Sequence, residues 1–148
     1  MAGSLIKIQE TTVSSAVASV TLTGIDSTFD VYIVRINNVT GTTEPNAINI
    51  RFTVSGTADT SANYDWAHKV LRTSTSFSNQ SNTNQTAVNG LDSTGTSTSE
   101  TVNAIYHFYN FNNASEYSFM NYEASAVSSS AELNATQAIV TGKHDILN

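Results

Sequence analysis

The stretch Asp59-Thr-Ser-Ala-Asn-Tyr-Asp65 sets oxygen-bearing side chains at alternate positions, and Asp59, Ser61, Asn63 and Asp65 are the hard donors that calcium prefers. The spacing opens like a calcium loop and then departs from it. An EF-hand needs glycine at its sixth position and a bidentate glutamate at its twelfth, where this chain carries Tyr64 and Val70. An Asx-rich turn accounts for the same residues without a metal. The three histidines, His68, His107 and His144, stand in no short ligand spacing with one another. No metal or other cofactor is therefore expected.

Nucleophilic chemistry finds no better footing. There is no Gly-x-Ser-x-Gly elbow, and Asp92-Ser-Thr-Gly95 is one residue too long for the Asp-Thr-Gly or Asp-Ser-Gly turn of an aspartic protease. Acids are sparse, so a carboxylate pair across a sugar has few candidates, and the chain is read as non-enzymatic. The aromatic residues offer binding instead. Tyr64, Trp66, Tyr109 and Tyr122 could lie against the apolar face of a glycan or form a subunit contact, and the competing reading places such rings in the core. Five Asn-x-Ser/Thr sequons begin at Asn38, Asn79, Asn84, Asn113 and Asn134, as a chain rich in these residues produces by chance.

The elements that must position these groups follow from composition. A chain of 148 residues is long enough to bury one core, and with no cysteine it does so without disulfides or thiolate metal sites. Charged residues make up 12%, about half the usual share. Ser, Thr and Asn fill the gap and are cheaper to immobilise in a contact than Lys or Glu. A net charge of −6 with six scattered basic residues argues against a nucleic-acid partner. The N-terminus lacks the basic and apolar regions of a signal peptide, and no run is long enough to span a bilayer, so the chain reads as soluble when made, with no membrane insertion.

Period-two patterning dominates. Residues 23–39 pass from a polar turn into a run whose two faces, Phe29, Val31 and Ile33 against Tyr32, Val34 and Ile36, are both apolar; this reads as a central strand packed on both sides. Leu5-Ile-Lys-Ile8 is a short edge-like strand able to pair with a neighbouring chain, and Val20 and Leu22 mark a half-buried strand within 13–23. Ile48, Ile50, Phe52 and Val54 alternate strictly, and Tyr64 to Leu71 reads as a strand. Val102, Ala104, Tyr106 and Phe108 share one face of another, and a hairpin partner begins near Tyr117. Residues 73–100 form a polar, low-complexity loop region. Ile146 and Leu147 resemble the start of a strand, so the natural chain is expected to continue past Asn148. Seven or eight strands at this spacing predict a single all-β domain over 1–148, an antiparallel β-sandwich of jelly-roll type, its sheet open to completion by a neighbouring subunit.

The pieces Ser4-Leu-Ile-Lys-Ile8, Ala18-Ser-Val-Thr-Leu-Thr-Gly-Ile-Asp-Ser-Thr-Phe-Asp-Val-Tyr32, Asn63-Tyr-Asp65 and Phe111-Asn-Asn-Ala-Ser-Glu-Tyr-Ser-Phe119 resemble a group of small β-rich virion structural proteins, decoration or fibre-like, of marine tailed bacteriophages. The resemblance spans most of the chain and is softest through 73–100. Its motifs describe strands and turns, so no site residues come with it. It implies a homo-oligomer, expected as a trimer, assembled in the host cytoplasm and carried on the virion as capsid decoration or head fibre, with capsid or tail proteins as partners. The alternative is a tail-fibre adhesin that binds host glycan.

Overall fold

The computed structural model describes residues 4–26, 28–44, 46–111, 113, 115–128, 130–136 and 141–144. Among these the protein is all-β, with eleven strands: β1 (Val31–Val39), β2 (Asn46–Ile50), β3 (Thr53–Val54), β4 (Thr57–Ala58), β5 (Tyr64–Arg72), β6 (Phe77–Gln85), β7 (Val88–Thr94), β8 (Val102–Tyr109), β9 (Ser118–Val127), β10 (Leu133–Thr136) and β11 (Thr141–His144). Every pairing is antiparallel and no sheet closes. No helix among the described residues is long and apolar enough to cross a membrane.

The large sheet runs β1, β8, β9, then β10 and β11 in line, then β5 and β6. β10 and β11 both lie between β9 and β5, so the last described part of the chain fills the middle of the sheet. Thr136 pairs with Ala124 and Val70, while Thr141 pairs with Asn121 and Ala67.

Alternation decides which side chains are covered. Tyr64, Trp66, His68 and Val70 of β5, Val102, Ala104, Tyr106 and Phe108 of β8, and Met120, Tyr122, Ala124 and Ala126 of β9 all face inward. The antiparallel β2–β7 ladder lies over this face, bringing Val88 and Leu91 into the same core, with Ile48 and Ile50 half-buried beside them. Gly90 is needed there: a Cβ at this position would stand 3.0 Å from the Ile48 carbonyl oxygen and 3.2 Å from the Tyr106 hydroxyl. The Tyr106 hydroxyl donates to the Gly90 carbonyl and that of Tyr122 to the Asn89 carbonyl, so buried phenols tie the two layers together.

Four expectations change. β1 is not a central strand packed on both sides; it is the edge of the sheet, paired only with β8 among the described residues, and Val31 and Ile33 are 45% and 38% exposed. Its second apolar face is real but has no strand over it among the described residues. Residues 4–26 form no strand in the described chain, and Leu5, Ile6, Ile8, Val13, Val17 and Val20 are exposed, because no strand lies beside them to complete a ladder. The polar region 73–100 carries two strands, β6 and β7; β6 has almost no apolar side chains, yet it gains a full ladder from β5. The alternating run from Ile48 breaks at Arg51 and Phe52, where the Phe52 ring turns into the core and its N–H is taken by the Tyr64 hydroxyl. Ile146 and Leu147 lie outside the described residues.

Candidate functional site

The calcium-like stretch is a turn bound to the core. Asp59 Oδ1 accepts the Ser61 N–H at 2.8 Å, and Oδ2 accepts from His144 Nε2 at 2.6 Å and from Asn63 Nδ2 at 3.3 Å. Asp65 turns to another element and accepts the Asn84 N–H at 2.9 Å. The two carboxylates thus serve different partners, and no group of three His, Cys, Asp or Glu among the described residues could hold a metal. The backbone N–H of Ser61 does most to hold the Asp59 carboxyl well below the usual carboxylate range, with the Ser61 hydroxyl, His144 and Asn63 adding to it against the opposing effect of burial.

A histidine–aspartate pair is also the orienting half of a catalytic triad, so its surroundings matter. His144 is wholly buried, with its ring 4.7 Å from that of Tyr64 and 5.3 Å from that of Phe52. The Tyr64 hydroxyl is taken up in turn: it donates to the Asp59 carbonyl and accepts from the Phe52 N–H, both at 3.0 Å. Burial raises the pKa of Tyr64. A ring with no solvent access has no route to a substrate, so the pair fastens β11 to the 59–63 turn.

The other histidines are dispersed. His68 stacks on Trp66 at 4.9 Å, with its Nδ1 3.4 Å from the Tyr122 hydroxyl, whereas His107 sits half-buried on the opposite face of the sheet. Of the four rings nominated for glycan or subunit contact, Tyr64 and Tyr122 are core residues and Trp66 is 8% exposed; inward alternation on β5 and β9 puts them there. Only Tyr109 stands on the outer face, half-buried. One shallow depression of about 260 Å³ has the covered Trp66 on its wall, with Asn49, Arg51, Gln85 and Asn89 as its polar lining. Arg51 is steadied there by donating from Nε to the Thr86 carbonyl at 2.9 Å.

The surface without cover is elsewhere. On the outer face, register aligns Val31 with Tyr109 and Phe119, then Ile33 with His107 and Asn121, then Arg35 with Ile105 and Glu123. Val31, Ile33, Ile105 and Phe119 are all exposed, and Tyr117 lies edge-on to Phe119. Beside this patch runs the unpaired edge of β1, and before β1 comes an exposed apolar arm, 4–26. The arm is held at two points. Gln9 Oε1 accepts from the N–H and hydroxyl of Thr23, and the Tyr32 hydroxyl donates to the Asp26 carbonyl at 2.7 Å while accepting its N–H at 3.0 Å. Ile8 packs so closely on Gly24 that a Cβ there would stand 2.8 Å away, and the backbone at Gly24 has a positive φ of 82°.

Alternation had already located the apolar residues of β1; that they face outward could not be read, because a two-faced apolar strand looks the same at the centre of a sheet and at an edge awaiting a partner. Comparison of the chain with protein-family models, with characterised proteins and with solved structures finds no match.

Proposed function

We propose that this chain is a non-enzymatic structural protein of a tailed-bacteriophage particle, carried on the virion surface as capsid decoration or head fibre and assembled from three copies. In this reading the fold is a β-sandwich of jelly-roll type whose strands are completed at subunit contacts. The observation that carries the proposal is the uncovered apolar surface formed by Val31, Ile33, Ile105 and Phe119 together with the arm. Exposed apolar side chains gathered on one sheet face, on a chain with so few charges, favour an interface. Covering it supplies about 25 cal/mol per Å², against which the ordering of short hydroxyl and amide side chains costs little. The bacteriophage assignment draws on the sequence resemblance, and the mechanism is mechanical: apolar and amide contacts hold subunits together and to the particle.

The experiment is cross-linking mass spectrometry on purified particles. Links from Lys7, Lys69 or Lys143 to the shell protein support capsid decoration; absence of the chain from particles overturns the proposal.

A second reading, the glycan-binding tail adhesin, is favoured by the depression beside Trp66, where Arg51, Asn49 and Gln85 supply donors suited to sugar hydroxyls. Links only to tail proteins, with glycan binding that Arg51→Ala abolishes, would select it.

A further inference from the structure

The two edges of the large sheet are unlike. β6, at one end, reads Phe-Ser-Asn-Gln-Ser-Asn-Thr-Asn-Gln and presents polar side chains, with the residue Asn84 at positive φ near its end. β1, at the other, is nine residues long; over Val31 to Val34 it has no proline and no charged side chain, Arg35 follows, and the register shifts only beyond Ile36. Its outward N–H and C=O groups alternate along a strand whose outer face carries Val31 and Ile33, followed by Arg35. Such an edge is a template for one more strand.

The arm also carries a segment with the alternation of a strand but with no ladder partner among the described residues. Within 17–22, Ala18, Val20 and Leu22 fall on one side and Val17, Ser19 and Thr21 on the other, the pattern of a strand with one apolar face. Its own β1 does not take it. Tyr32 points to the inner face, and its hydroxyl grips the Asp26 backbone, so the chain approaches β1 over that inner face, and no strand among the described residues pairs with its outer edge.

We propose that segment 17–22 of a second copy of this chain adds as a strand to the free edge of β1, with Ala18, Val20 and Leu22 continuing the outer apolar row of Val31 and Ile33. One chain then holds both donor and acceptor, a head-to-tail contact that in the three-copy reading above closes into a ring. The inference rests on the homo-oligomeric reading above and names the contact that builds it.

The absence of native cysteine makes the test clean. Full-length chain carrying Val20→Cys is mixed with chain carrying Val31→Cys, Ile33→Cys or Arg35→Cys and oxidised with copper phenanthroline, and the native mass of each mixture is measured in parallel. The expected result is a disulfide-linked two-chain product strongest at one acceptor position, reduced at least tenfold by adding Leu22→Lys to the donor. A same-chain Val20→Cys/Ile33→Cys variant that closes into a looped monomer overturns the exchange, because the arm then folds on its own edge. An oligomeric mass with no product at any acceptor position also overturns it and leaves the homo-oligomeric reading standing. A monomeric mass overturns both.

Discussion

Nε2 of His144 lies 2.6 Å from Oδ2 of Asp59, joining residues 85 positions apart and pinning the last described strand to the turn before β5. Because β11 lies between β5 and β9, this contact helps hold the middle of the sheet.

Asp59→Asn is expected to destabilise the fold by about 1–3 kcal/mol, since it weakens three bonds at a mostly covered carboxylate. Urea denaturation at neutral pH measures it, with exposed Asp30→Asn as the control expected within about 0.5 kcal/mol. An equal effect of the two would contradict the role assigned to Asp59.

The same carboxylate gives a pH dependence. Its folded pKa is depressed, so the unfolded chain binds the proton more readily. Its contribution is fully present above the ordinary aspartate pKa of about 4 and is lost as pH falls below that toward the depressed folded value. Melting temperature should drop in this acid window, and the Asp59→Asn variant should drop less.

Tyr64→Phe removes a hydroxyl that both donates and accepts, leaving the buried Phe52 N–H without its acceptor. A loss of about 1–3 kcal/mol is expected. Tyr109→Phe, on the half-buried outer face, should cost less than about 0.5 kcal/mol in the same assay.

Gly90→Ala should destabilise by about 1–3 kcal/mol through overpacking, because the added methyl meets the Ile48 carbonyl, the Ile50 side chain and the Tyr106 hydroxyl at 3.0–3.2 Å. Gly56→Ala meets nothing within 4 Å, though its positive φ of 79° carries a strain of about 1 kcal/mol. Thermal melts of the pair separate crowding from backbone strain.

How much of this was legible follows from where the signal resides. Alternation at Val102 to Phe108 marks a strand but, with aromatic residues on both faces, does not say which face is inner; Tyr64 to Leu71 fits a helical period as well as a strand, and the neighbouring strands decide for strand. β6 was invisible: its partner supplies backbone bonds, which leave no trace in Ser, Asn and Gln side chains. The bond between Asp59 and His144 depends on which strand fills the sheet centre, a matter of topology that residue spacing does not encode. For Val31, Ile33 and the arm, the pattern was plain and the missing neighbour was the unknown.

The most direct test of the account is native mass spectrometry of the purified chain across a concentration series, beside Ile33→Lys and Ile105→Lys. A three-chain species is expected for the parent, and for both variants dissociation to folded monomers whose intrinsic stability changes by less than about 0.5 kcal/mol. A parent that stays monomeric at every concentration would contradict it.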